Sequence, residues 1–251
     1  MLNIKDNKII LDKVFDPNKV KKITGHSFVG LANLDEYNKR GDVLLNILGY
    51  YKPPFDKKYQ YRGDMAEQMI MFMLKKNGKE FIYHDEADKK KNNYDFFPTY
   101  KYCGGIPDFE IPKESTNYEC KSKSMEKLED ILSKLPTNEL WQGLYYTYLR
   151  KYHYNVMAYV FFDKETEELL FENKKPKTLN NCQVRFFSYQ VVYEGDEIKP
   201  KMNYVYAKDI KAKIIEAICY RDKCITEGYI PLEDVSPKIL KELGLLNDEG
   251  L

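Results

Sequence analysis

The stretch from Gly105 to Lys121 reads as a β-hairpin and constrains the fold more than any other part of the chain. Asp108 ends one strand, Pro112-Lys113-Glu114-Ser115 makes the turn, and Asn117 to Lys121 returns as the next strand. Side chains two apart on a strand share a face, so Glu119 and Lys121 project together and Cys120 points away. The Cys120 backbone carbonyl is left near the same edge. Two carboxylates, Asp108 and Glu119, with that carbonyl make a hard-oxygen set suited to Mg²⁺ or Mn²⁺. A lysine beside them can orient a water or hold the charge of an attacked phosphate. Asp, Glu and Lys are common in a chain that is 31% charged, so the same run also fits an ordinary hairpin with a solvated Glu/Lys face.

At 251 residues the chain can bury a substantial core. Taking it as one domain is the simplest reading, with a core over about 19–162, C-terminal strands and a helix over 181–230, and a tail over 231–251. No stretch reaches the length of a membrane span, and the N-terminus lacks a signal-peptide apolar core, so the expectation is a cytoplasmic protein with no membrane partner. A net charge of +1 does not by itself favour a nucleic-acid partner. Positive charge is local instead, at Lys21/Lys22, Lys57/Lys58, Lys75/Lys76, Lys89 to Lys91 and Lys121/Lys123/Lys127. The five cysteines form no CxxC pair, which argues against a disulfide framework, a zinc site or an iron–sulfur cluster.

Apolar spacing predicts helix from Lys19 to about Gly49, entered near Thr24 to Ser27 and ended by Pro53-Pro54. A second, Met-rich helix runs from Arg62 to Lys76. Glu67 sits inside it, where a carboxylate is costly unless a cation meets it or it reaches water at the helix border. Phe81 to Tyr83 suggests a strand, followed by a loop carrying Lys89 to Lys91. Beyond the hairpin, Thr137 caps a helix with a Leu140/Trp141/Leu144/Tyr145 stripe, and Gln142 lies to one side of that stripe. A buried strand follows at Val156 to Phe162, then a charged loop over Asp163 to Lys177, a strand at Val184 to Tyr193 and a helix at Ala207 to Thr226. This order implies an α/β domain with a central mixed β-sheet flanked by helices.

Pro107-Asp108 and Glu119-x-Lys121 resemble the signature of the PD-(D/E)xK nuclease superfamily. Their neighbours narrow the likeness. Thr24-Gly25-His26-Ser27, Arg62-Gly63-x-x-Ala66-Glu67, Gly104-Gly105-Ile106-Pro107-Asp108, Glu119-Cys120-Lys121 and Trp141-Gln142-x-x-x-Tyr146 follow in the order of the phage lambda-type exonucleases, the viral recombinase nucleases. The resemblance covers roughly Lys19 to Phe162 and implies a restriction-endonuclease-like core.

By that resemblance Glu67, Asp108, Glu119 and the Cys120 carbonyl hold Mg²⁺ or Mn²⁺, and Lys121 positions or deprotonates the attacking water. Gln142 orients Lys121 or the phosphate, and Ser27 grips a phosphate, with Lys21, Lys22 and Lys123 as further DNA contacts. Lysines stand where many relatives carry an arginine near the early Ser, which weakens the case for a 5′-phosphate grip, because a lysine is a point charge without the bidentate fork. The implied activity is a 5′-to-3′ exonuclease acting on duplex DNA ends in recombination or repair. A ring-shaped homo-oligomer and a single-strand annealing recombinase are the implied partners. A sequence-specific restriction-type endonuclease and a nuclease-fold DNA-binding protein without catalysis are the rival readings. Glu67 as a border residue, Gln142 as a solvated helix position and Ser27 as a simple N-cap remain open alternatives.

Overall fold

The computed structural model describes residues 2–54, 56–172, 174 and 181–246. In chain order the elements begin with β1 (Asn3–Lys5), β2 (Lys8–Ile10), α1 (Gly25–Leu31), α2 (Arg40–Ile47), α3 (Lys57–Lys76) and α4 (Glu86–Lys91). Next come β3 (Phe109–Ile111), β4 (Thr116–Ser124), α5 (Leu128–Ser133), α6 (Thr137–Arg150), β5 (Tyr154–Phe162) and α7 (Lys164–Phe171). The chain continues through β6 (Gln183–Val192), β7 (Asn203–Tyr206), α8 (Ala207–Glu227), β8 (Tyr229–Pro231) and α9 (Pro237–Glu242). The chain divides into two compact units, one of 1–53, 95–105 and 211–251, the other of 54–94 and 106–210.

The larger unit is built on a five-stranded mixed sheet of order β3-β4-β5-β6-β7. β3 and β4 form the antiparallel hairpin, β4 and β5 run parallel, β5 and β6 antiparallel, and β6 and β7 parallel. The chain passes from β4 to the parallel β5 through α5 and α6, since parallel neighbours need a crossover. Every residue of β5 from Asn155 to Phe162 is buried, as befits a central strand covered on both faces. On one face, Ala158, Val160 and Phe162 pack with Phe109, Ile111 and the α3 residues Ala66, Ile70 and Leu74. On the other, Met157, Tyr159 and Phe161 pack with Ile131 and Leu135 from the α5 side, joined by Leu140 of α6. The α/β class with a mixed sheet between helices is the architecture expected from the element order.

Within this unit several boundaries move. Asp108 stands just ahead of β3, not at the end of a strand, because pairing starts at Phe109 opposite Tyr118. The α3 helix begins at Lys57 because the Asp56 side chain accepts from the Lys58 N–H at 3.1 Å and caps it five residues early. The strand expected at Phe81 to Tyr83 is a single bridge between Ile82 and Glu110. The lysine run beyond it is helical, as α4, capped by Asp85. Thr137 is the first helical residue of α6 and does not cap it. The segment read as a charged loop contains α7, with Asp163 accepting from the Thr166 N–H at 2.7 Å; residues 173 and 175–177 of that segment lie outside the described residues.

The smaller unit carries the antiparallel sheet β1-β2-β8, together with α1, α2, α9 and most of α8. The single helix expected over Lys19 to Gly49 is two, broken by Asn33 in the left-handed region (φ 56°) and by Asp35, which accepts from the Tyr37 N–H. Residues 247–251 of the expected tail lie outside the described residues.

Candidate functional site

The hairpin brings Asp108 to β4 through a backbone contact. Asp108 Oδ2 accepts from the Cys120 N–H at 2.7 Å, so the carboxylate is held against the middle of β4 although it lies outside the ladder. The Cys120 thiol turns to the α3 face among apolar side chains, and burial pushes it well above the ordinary thiol range.

Glu119, Lys121 and Lys123 alternate along β4 and meet α6, whose early residues supply their partners. Lys121 Nζ donates to Glu119 Oε1 at 2.8 Å and to Gln142 Oε1 at 3.0 Å. Lys123 Nζ donates to Glu139 Oε1 at 2.5 Å, and the Tyr159 hydroxyl donates to Glu139 Oε2 at 2.7 Å. The lysine expected to contact DNA is thus already ion-paired. Glu139, in the first turn of α6, is its anchor. The other Glu119 oxygen, Oε2, is buried without a hydrogen-bond partner. An unsatisfied buried carboxylate oxygen costs several kcal/mol, roughly, unless a proton or a cation meets it.

The approach of α6 depends on Gly143. A Cβ there would meet Asn155 Oδ1 at 2.6 Å and Met157 Sδ at 3.0 Å, so only glycine lets the helix lie this close to β5. Gln142 is carried to Lys121 by that close approach. Behind it, Thr147 Oγ1 donates to the Gly143 carbonyl at 2.8 Å and faces the buried Asn155.

Glu67 comes from α3, on the opposite face of the sheet from Glu119. It accepts from the Tyr83 hydroxyl at 3.1 Å. Arg62, one turn earlier, is spent on structure: it pairs with Glu167 of α7, and its Nε donates to Ser122 Oγ at 3.3 Å. An open cleft of about 910 Å³ follows the first half of α3 and is lined in part by Tyr59, Gln60, Asp64 and Glu67.

The electrostatics describe a surplus of negative charge. Burial and then the charge of Asp108 push Glu67 up to about 7, against the pull of Lys89 and the Tyr83 hydroxyl. Burial and Asp108 likewise push Glu119 up to about 8 against Lys121. Asp108 is raised by burial, opposed by Lys121, the Cys120 N–H and Lys89. For Lys121, burial works downward, but the charges of Glu119 and Asp108 outweigh it and hold the ammonium. The 2.8 Å contact of Lys121 with Glu119 is that of an ion pair, and Glu119 is raised by its burial and then by the charge of Asp108.

Three carboxylates, with Glu119 buried and Glu67 and Asp108 half-buried, and one Glu119 oxygen orphaned, have the donor chemistry of a divalent-cation site. In the present conformation no three Asp, Glu, His or Cys side chains among the described residues close into a ligating cluster.

The remaining expected contacts lie in the smaller unit. Thr24, not Ser27, is the N-cap of α1; Ser27 Oγ accepts from the Thr24 N–H at 2.8 Å as the third helical residue of a capping box. Lys22 is paired with Asp95 at 2.7 Å and also donates to the Phe97 carbonyl, while Lys21 is exposed. Gly104 packs on that ion pair, 2.8 Å from Asp95 Oδ1 to an added Cβ, which accounts for one of the two glycines before Pro107. No helix among the described residues is long and apolar enough to cross a membrane.

Comparison with known proteins adds the following. No family model matches the chain. It is 35% identical over 112 residues to the uncharacterized protein MG373 of Mycoplasma genitalium and 31% identical over 112 residues to its Mycoplasma pneumoniae homolog. Each match takes in 43% of this chain and 39% of the relative, so the chain spans well under half the length of these relatives. In structure it is similar to a phage related exonuclease from Haemophilus somnus 129PT, with a TM-score of 0.51 and 12% identity over 83% of this chain and 96% of that one. At that identity the two share a fold.

Proposed function

We propose that the chain is a metal-dependent deoxyribonuclease of PD-(D/E)xK type that hydrolyses phosphodiester bonds, with the active site on the larger unit. The observation that carries this reading is Lys121 Nζ held between Glu119 Oε1 and Gln142 Oε1, beside a Glu119 oxygen that lacks any partner. The fold shared with a phage related exonuclease supports it.

In this reading Glu67, Asp108, Glu119 and the Cys120 carbonyl hold Mg²⁺ or Mn²⁺. The bound ion supplies Lewis-acid charge for the developing negative oxygens. Asp108 is oriented by the Cys120 N–H, which fixes one oxygen and leaves the other to turn toward the site. Lys121 keeps its proton through contact with Glu119. It is therefore suited to hold the attacking water and to stabilise the charge on the phosphate. Gln142 accepts from Lys121 through its carbonyl and leaves its amide N–H groups free to donate to phosphate oxygen. Water adds to phosphorus, the bond to the leaving sugar oxygen breaks, and a phosphate monoester and a sugar hydroxyl result.

The finer reading is a lambda-type 5′-to-3′ exonuclease acting on duplex DNA ends, working as a homo-oligomer and with an annealing recombinase as partner. Linear and covalently closed forms of one plasmid, incubated with the protein and Mg²⁺, test it. Progressive loss of the linear form with closed circles untouched is expected. Cutting of closed circles at fixed positions would instead establish the restriction-type endonuclease.

A further inference from the structure

The chain between the two expected metal-binding segments, Ile82 to Lys91, lies against the carboxylates of the larger unit. It enters through the Ile82–Glu110 bridge, which sets the next residue beside the strand that follows Asp108. The Tyr83 ring stacks on Phe109, with centroids 5.1 Å apart and planes 26° from parallel. That stacking aims its hydroxyl at Glu67 Oε2, 3.1 Å away. A second ring, Phe81, packs edge-on against the same Phe109. Tyr83 therefore connects the α3 carboxylate to the residue adjoining Asp108 with a ring that packing prevents from turning.

Lys89 follows on α4. Its Nζ sits 5.8 Å from the Tyr83 ring centroid, and its side chain is only 20% exposed while Lys90 and Lys91 point into solvent. Its charge draws Asp64, Glu67 and Asp108 downward in proton affinity. Its close salt-bridge partner, Glu86 at 3.4 Å, is largely exposed and holds it weakly. Lys89 is thus a half-buried cation beside the Tyr83 ring, which itself contacts Glu67.

We infer that Tyr83 and Lys89 belong to the active site, Tyr83 as the positioning residue for Glu67 and Lys89 as a phosphate contact for the DNA strand. The inference rests on the proposed nuclease reading and deepens it. With Glu67 and Asp108 serving as ligands, their charge would no longer draw on Lys89. The ammonium is then free to meet a phosphate entering along the Asp64/Glu67 cleft. The same arrangement predicts opposite effects of the two side chains on metal affinity. Tyr83 fixes a ligand and favours the ion, whereas Lys89 is a like charge beside it and opposes the ion.

Calorimetric titration of Mn²⁺ into the full chain, without DNA, tests this in wild type, Tyr83→Phe, Lys89→Ala and the exposed control Lys90→Ala. Melting curves run beside it establish that each variant is folded. Expected are Mn²⁺ affinity lowered about tenfold by Tyr83→Phe, raised several-fold by Lys89→Ala and unchanged by Lys90→Ala. Binding of a short duplex to Lys89→Ala in the presence of Ca²⁺ should weaken, with the log–log salt slope smaller by about one. Unchanged Mn²⁺ affinity in both folded variants, or a Lys89→Ala effect matched by Lys90→Ala, would overturn the inference and leave the nuclease reading intact. A wild type that takes up no Mn²⁺ would overturn the nuclease reading, and this inference with it.

Discussion

Lys121 Nζ lies 2.8 Å from Glu119 Oε1, and both side chains rise from the same face of β4, two residues apart. Glu119 is buried and Lys121 half-buried, yet one Glu119 oxygen has no partner, so the contact satisfies the lysine better than the carboxylate. Lys121→Met should separate the two roles of the lysine. Activity should fall by about a hundredfold or more. The metal-free protein should also lose stability, because Glu119 is then buried with no cation. Activity in Mg²⁺ and a urea midpoint without metal check both halves.

Gln142 touches Lys121 through its side-chain carbonyl only. Gln142→Glu would place a carboxylate there and strengthen the hold on Lys121 while adding charge to an already acidic site. Cleavage should fall as the group that donates to phosphate is lost, with the larger change in KM. Steady-state kinetics on a linear duplex decide this, and an unchanged KM would return Gln142 to the role of a helix-surface residue.

Gly143→Ala tests whether the distance of α6 from the sheet matters to the site. The added methyl collides with Asn155 at 2.6 Å, and the helix must shift outward to admit it. Stability should drop by about 1–3 kcal/mol, and activity should drop further than that loss explains. Thermal melts and kinetics below the melting range separate the two effects.

Glu67 gives the pH dependence its sign. Its folded value is raised from 4.5 to about 7, so the folded state binds this proton more tightly than the unfolded chain. The stabilisation is complete below 4.5 and lost as pH rises through about 7. Metal-free protein should therefore weaken over that window, by at most about 1.4 kcal/mol per pH unit from this group. Glu67→Gln should flatten that part of the curve in denaturant titrations run at several pH values.

Much of this was legible in the sequence because strand alternation leaves few choices. Once Asn117 to Lys121 is a strand, Glu119 and Lys121 must share a face, and they do. The buried run Val156 to Phe162 could hardly be anything but a central strand, and it gained only Tyr154 and Asn155 at its start. Short elements escaped, since β1, β2 and β7 have three or four residues and too little periodicity to show. Local side-chain capping moved other boundaries, as Asp56 starts α3 ahead of its apolar run and Asp163 starts a helix in a segment that reads as loop. The partners of the site were hidden for a different reason. Nothing in the spacing of Tyr83 and Glu67, or of Lys123 and Glu139, announces contacts that only packing of α3 and α6 on the two sheet faces creates.

The most direct test of the central claim is release of acid-soluble nucleotide from a linear duplex by wild type, Asp108→Asn and Lys121→Ala, each with Mg²⁺ and with EDTA. The account predicts release by wild type in Mg²⁺ alone and near-complete loss in both variants, each still folded by circular dichroism. Release that persists in EDTA, or survives both substitutions, would contradict it.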